Sequence, residues 1–337
     1  MSRPIRRRTL LKGAAAGAAI GLTGGLGLRA VLRDPLPWDE DAFPPPDDAR
    51  TAVLRAERYD GPLEETVLDG LRAIGADVRG AEVLLKPNLV EFDPTTAINT
   101  EPRLIAAAVL AFRRLGAASV RVGEGPGHRR DVQDVVVRSG LADALSGVGA
   151  PFVDLNTAAI RRVPLRSRYT DLGHLWLPTP VLEADVVVSM PKMKTHHWAD
   201  VTLSLKNLFG TLPGRVYGWP KNILHWAGIE PSILDIAGAV RPDYAIVDGI
   251  VGMEGNGPIS GDPVASGVLV FADDAVAADV VSASLMGFDP MGIAYLAEAA
   301  RFLGQGDRDR IEQRGEDPDP LVRAFAPPPT GEGVNAG

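Results

Sequence analysis

Six short aliphatic and β-branched runs, each ending in a polar or glycine-rich phrase, constrain this chain more than any other feature. They occupy 82–89, 119–122, 152–155, 185–190, 244–247 and 268–271. Several are apolar throughout, as expected of strands covered on both faces. Helical stretches separate them at 101–115, 132–145, 233–240, 275–286 and 293–303. The first of these has a cap at Thr100, Pro102 in its opening turn and Gly116 at its end. This alternation predicts a layered α/β fold of mostly parallel sheets with helices on the faces, with ligands at the carboxyl ends of strands. A length of 337 residues suits two lobes, expected at 51–165 and 166–304.

Composition narrows the function. The 37 glycines and 28 prolines indicate many loops. The absence of cysteine excludes disulfides, thiolate-ligated zinc or iron–sulfur clusters, and a thiol nucleophile. Seven of the 35 basic residues but one of the 43 acids lie in residues 1–35, so the body beyond them is strongly acidic. Such a body repels phosphate backbones, and nucleic acid is not an expected partner. A local basic pocket for a small anion stays open.

The N-terminus runs Arg6-Arg7-Arg8-Thr9-Leu10-Leu11-Lys12 into a Gly/Ala/Leu stretch that ends near Leu28. Residues 1–33 resemble a twin-arginine export signal. That resemblance implies the twin-arginine machinery as a partner, export of the folded chain, and a location on the periplasmic or extracellular side of the cytoplasmic membrane. It also makes a cofactor inserted before export a live expectation. No small-x-small cleavage site follows Leu28, so residues 10–28 can instead remain as a membrane tether. Residues 34–50, rich in proline and acids, read as a solvated linker, and 305–337 as a flexible tail.

Four segments at predicted strand ends carry chemistry. In Lys86-Pro87-Asn88, Lys86 and Asn88 share one face of an extended chain; the alternative is an ordinary loop. In Gly123-Glu124-Gly125-Pro126-Gly127-His128-Arg129-Arg130, Pro126 and the anionic Glu124 argue against a phosphate loop. Glu124 and His128 suit a base or metal ligand there and Arg129 or Arg130 an anion clamp; the alternative is a glycine turn with solvated charges. The third segment gathers Lys192, Lys194, His196 and His197, then Lys206 and Asn207, with His225 beside Trp226 further on. In an extended chain His196 and His197 face opposite sides, so one is expected in the site. Their spacing matches no standard zinc motif. A lysine here can have a lowered pKa and act as base or covalent attachment point. The fourth segment, 247–258, repeats the Glu-Gly-x-Gly phrase, and its Asp248 and Glu254 can bind a cation, orient a histidine, or cap backbone amides.

Taken together, Lys86-Pro87-Asn88, Gly123-Glu124-Gly125, the 190–196 and 205–210 segments and 247–258 resemble the family named domain of unknown function 362, over about residues 82–300. Some of its members carry ferredoxin-type cysteine clusters; a chain without cysteine holds no iron–sulfur cluster. A looser resemblance is to the lactate racemase family, whose members use a nickel-pincer nucleotide attached to a lysine. It implies His128 and His196 or His197 as paired proton-transfer groups, Lys206 as the cofactor lysine and His225 as the nickel ligand.

The resulting expectation is an exported enzyme acting on a small carboxylate or hydroxy acid by His-mediated proton or hydride transfer. Its catalytic residues would be His128, His196 and Glu124, with Lys206 holding a cofactor. Lys86, Asn88, Arg129, Lys192, Lys194 and Asn207 would bind substrate, and His225, Asp248 and Glu254 a metal. The rival expectation is a periplasmic protein that binds a small anion or metal without turnover.

Overall fold

In a computed structural model of the chain, the described residues are 35–127 and 131–328. Twelve strands are formed: β1 (Ala49–Arg55), β2 (Glu82–Pro87), β3 (Ser119–Glu124), β4 (Phe152–Asp154), β5 (Ile160–Pro164), β6 (His174–Pro178), β7 (Val186–Met190), β8 (Lys192–His196), β9 (Asp200–Thr202), β10 (Tyr244–Glu254), β11 (Asp262–Ala272) and β12 (Ile311–Gly315). Ten build one sheet in the order β12-β1-β11-β10-β7-β2-β3-β4, with β8 and β9 branching from β10; β5 and β6 pair separately. The block β10-β7-β2-β3-β4 is parallel throughout. β11 runs antiparallel to both β10 and β1.

Strand parity sorts the core into two layers. Val53, Leu84, Val187, Val247, Val268 and Val270 face one side, and Ala52, Val83, Leu85, Val188, Ile246, Leu269 and Phe271 the other. The second side is covered by the helices Leu63–Ala73, Pro102–Arg114, Val132–Arg138 and Leu141–Val148, the first by Ile229–Val240, Ala275–Leu285 and Ala294–Ala299. Both faces are dry, which is why the central strands read as unbroken apolar runs. Segments 51–165 and 166–304 share this sheet, and each supplies the helices of one face.

The structure departs from expectation at several elements. The stretch 132–145 forms two helices, because Gly140 takes φ 79° and turns the chain before Leu141. Thr100 does not cap the next helix: its Oγ1 accepts from Asn88 N at 2.9 Å and donates to Met190 O at 2.7 Å, tying the ends of β2 and β7 together. β10 runs on to Glu254 as a hairpin with β11, so Asp248 sits mid-strand.

The Pro- and acid-rich stretch is not a free tether. Trp38 and Phe43 are buried, Trp38 stacks on Phe302 at 4.8 Å, and Ala49 and Arg50 begin β1. Aromatic area outweighs the local polarity there. Nor are residues 305–328 a loose tail: β12 pairs in parallel with β1, and Leu321 and Phe325 are buried. No helix among the described residues is long and apolar enough to cross a membrane. The segment 1–33, with the twin-arginine resemblance and residues 10–28, lies outside the described residues, as do His128 and Arg129.

Candidate active site

Where β2 ends, Lys86 turns inward. Its Nζ donates to Glu124 Oε2 at 2.6 Å, to Asn207 Oδ1 at 2.8 Å and to its neighbour's carbonyl, Pro87 O, at 2.8 Å. Lys86 and Glu124 are fully buried. Glu124 also accepts from Leu89 N and Gly125 N, and Asn207 Nδ2 donates to Lys86 O and Ser189 Oγ. One ion pair thus joins β2, β3, β7 and the short helix Ser204–Asn207. Burial lowers the Lys86 pKa, with the Glu124 carboxylate opposing. A Cβ on Gly210 would collide with Glu124 Oε1 and Lys86 Nζ, so only glycine lets that backbone approach the pair.

A second ion pair lies along β8 and β10. Lys192 Nζ donates to Asp248 Oδ2 at 2.6 Å, Tyr59 OH at 2.9 Å and Val251 O at 3.1 Å, while Tyr59 OH donates to Asp248 Oδ1 at 2.8 Å. Lys194 Nζ donates to Ile98 O and Pro258 O. Lys221 Nζ donates to Gly125 O at 2.6 Å and Phe209 O at 2.7 Å, pinning the glycine loop after β3 to the turn after the short helix. Burial brings Lys221 to about 7 and holds Lys194 well below the ordinary lysine value, the latter reinforced by Lys206, Lys192 and Lys86.

Lysine usage makes this arrangement unusual. The chain has six lysines against 29 arginines, and every lysine beyond residue 12 belongs to this cluster. Four of the five are engaged by carbonyl or side-chain oxygens. The fifth, Lys206, has neither a hydrogen bond nor an ion pair among the described residues; its Nζ lies 4.0 Å from the centroid of the Phe209 ring. Desolvation, and then the charge of Lys86, brings it to about 7. The helix that carries it is held at its start by Asp279, which accepts from Ser204 N at 2.6 Å and Leu205 N at 3.0 Å.

Three imidazoles border this amine, and their hydrogen bonds set their tautomers. His196 Nδ1 accepts from Trp198 N at 3.1 Å, so the neutral ring carries its proton on Nε2. Burial and the nearby lysines hold its pKa well below the usual 6.5. His196 is therefore a neutral donor. His225 Nδ1 donates to Lys221 O at 3.1 Å and His197 Nδ1 to Gly257 O at 2.8 Å, which leaves each an Nε2 lone pair. Base chemistry expected of His196 thus falls to His225 and His197. His196 and His197 do not face opposite sides: the chain turns after β8 and the rings stack at 5.0 Å. Trp198, 55% exposed, meets both His197 and His225 edge-on and forms the rim with Ile223 and Trp226.

Residues 83–284 match the family profile of the domain of unknown function 362 (DUF362). A thylakoid-associated protein of Synechocystis sp. is 31% identical over 264 residues, covering 74% of this chain and 78% of its own length. The chain belongs to the DUF362 family. Among solved structures, the lactate racemase apoprotein from Thermoanaerobacterium thermosaccharolyticum aligns with a TM-score of 0.41 at 14% identity, over 64% of this chain and 52% of its own. A Thermotoga maritima protein aligns at 0.38 and 13% identity, over 62% and 55%. The chain spans about half the length of each of these two.

The expected metal set of this DUF362 chain does not assemble. Asp248 is saturated by Lys192, Tyr59 and Glu101 N, and Glu254 Oε2 accepts from Ala326 N at 2.7 Å. His225 belongs to the other group. Among the described residues no three His, Asp or Glu side chains surround a common cation position. The donor set therefore does not fit a metal held by these side chains. Glu124 and Glu254, though both precede Gly-x-Gly, are not equivalent: one is buried in an ion pair, the other caps a backbone amide.

Of the residues expected to bind substrate, Lys86, Lys192, Lys194 and Asn207 are consumed in the scaffold of the DUF362 site, and Asn88 is buried with its Oδ1 unpaired. Among the described lysines, Lys206 alone has no oxygen partner. Lys221 escaped sequence reasoning; the scarcity of lysine was the signal that points to it. A cavity of about 350 Å³ opens instead toward the amino ends of the parallel strands, among Phe43, Arg241 and Phe302. Three of its four carboxylates are engaged: Asp48 by Arg310, Asp273 by Arg50, and Asp274 by Val276 N and Ala277 N.

Proposed function

We propose that this DUF362 protein is an exported enzyme that moves a proton on a small carboxylate or hydroxy acid. The observation that carries this reading is the convergence of five lysines in which only the Lys206 amine lacks an oxygen partner among the described residues. Lys86 and Lys192 are neutralised by Glu124 and Asp248, and Lys194 and Lys221 are held by backbone carbonyls, so the Lys206 amine is the group left to meet a small anion. His225 supplies an Nε2 lone pair for proton abstraction, and the His196 Nε2–H donates to the charge that develops. His128, expected from the sequence as a proton-transfer group, is the second imidazole in this scheme.

The test is exchange of the α-hydrogen of lactate or glycolate, or of the methyl hydrogens of pyruvate, in heavy water, followed by NMR with the purified protein. Exchange catalysed by the wild type and lost in His225→Ala supports the reading. Absence of exchange together with saturable binding would make the chain a binding protein. Export rests on residues 7–12; a reporter carried by residues 1–33 would be exported, and Arg7→Lys with Arg8→Lys would retain it in the cytoplasm.

A further inference from the structure

We propose that Lys206 is a nucleophile that condenses with the carbonyl carbon of a small 2-oxo acid. This rests on the reading of the cluster as an anion site and narrows its substrate class from carboxylates in general to those bearing an adjacent carbonyl.

Three features of the geometry support it. Amine addition needs a nitrogen whose lone pair is free and whose protons are not committed, and Lys206 alone among the five clustered lysines meets that condition among the described residues. Its surroundings on the near side are the face of Phe209, itself buried, which offers the ammonium no oxygen acceptor. The residue is also held on a short helix whose first amides are anchored by Asp279, so the amine is presented from a fixed backbone. The lowering of its pKa to about 7 accords with this, since a substantial share of the amine is then unprotonated at neutral pH.

The step balances without any further reagent. The amine attacks the carbonyl carbon to give a carbinolamine, and the carbonyl oxygen departs as water with both amine protons. A C=N bond replaces the C=O bond, and nothing is oxidised or reduced. The neutral imidazoles relay those protons: His225 accepts at Nε2, and His196 donates from Nε2. When protonated, the imine withdraws electrons from the neighbouring carbon, which makes proton removal there accessible even to a weak base such as His225, whose pKa burial lowers. Hydrolysis returns the free lysine.

The experiment is borohydride trapping. The full-length protein is incubated with pyruvate or glyoxylate, reduced with sodium borohydride, and mapped by peptide mass spectrometry. The expected result is a single adduct on Lys206, heavier by the oxo acid less water plus two hydrogens, and absent from a folded Lys206→Arg variant, which keeps a cation but cannot condense. Reversible pyruvate binding seen by saturation-transfer NMR without any trapped adduct would overturn the imine while leaving the anion site standing. Neither binding nor adduct would remove both. An adduct confined to another amine would overturn the assignment to Lys206.

Discussion

The Lys86 ammonium and the Glu124 carboxylate meet at 2.6 Å with neither side chain exposed to solvent. Such a pair holds its charges only because each has further partners, so removing one member leaves the other uncompensated. Glu124→Ala is expected to destabilise the protein by about 3–5 kcal/mol, read as a lowered urea midpoint. Lys86→Met combined with Glu124→Leu recovers much of that loss, and a double variant no more stable than the single one would contradict this account.

Gly210 is the backbone position that touches this pair. Introducing a methyl group there forces Glu124 and Lys86 apart, and Gly210→Ala is expected to cost about 1–3 kcal/mol and to weaken any ligand binding at the cluster. Thermal unfolding of Gly210→Ala beside Gly147→Ala, where the added methyl meets nothing, separates this collision from a general effect of losing a glycine.

Asp279 gives the fold a measurable pH dependence. Burial raises its pKa from 3.8 to about 8, so between those values the folded state binds a proton that the unfolded state has released. Its contribution is complete below 3.8 and is lost as pH rises through about 8. The stability of the wild type relative to Asp279→Asn is therefore expected to decline steadily with rising pH across that interval, and a flat difference would show that the carboxyl stays ionised.

Lys206 should announce its lowered pKa chemically. Its rate of modification by a small amine-directed acylating reagent is expected to reach half its maximum near pH 7, well before an ordinary lysine, whose value is 10.5. Peptide mapping assigns the label without ambiguity because the chain has six lysines. A half-maximum near the ordinary lysine value would remove the electrostatic basis of the proposed chemistry.

Trp38 anchors a segment that looks solvent-borne in the sequence. Trp38→Ala deletes the stack on Phe302 and is expected to cost about 3–5 kcal/mol, with little effect on modification of Lys206. Loss of both together would mean that the segment also shapes the site.

The central strands were legible because dry faces on both sides demand unbroken apolar runs, as in Val186–Met190. β1 and β12 were not: β12, at the sheet edge, buries only Ile311, and β1, flanked by β12 and β11, carries Arg50 and Arg55 around a short apolar run. β8 was obscured for the opposite reason. Its Lys192, Lys194 and His196 are polar yet buried, because the two lysines find acceptors from distant parts of the chain and His196 accepts from Trp198 N two residues on. Of the residues singled out in the sequence, Lys86, Glu124 and Asn207 meet in one hydrogen-bonded group, and Lys206 lies beside Phe209. The tautomers that separate His196 from His225 depend on Trp198 N and Lys221 O, contacts no spacing rule encodes.

Pairing of β12 with β1 sets the order in which the molecule can be completed. The edge laid down by residues 49–55 waits for a strand that leaves the ribosome more than 250 residues later, by a connection spanning nearly the whole described chain. Until residue 315 has emerged, β1 exposes a row of unpaired amides and carbonyls and the Lys206 side of the sheet is assembled on an unfinished margin. In chain order this is the last pairing of the described sheet to become available, and truncations that stop before Ile311 should accumulate as edge-to-edge aggregates rather than as active monomers.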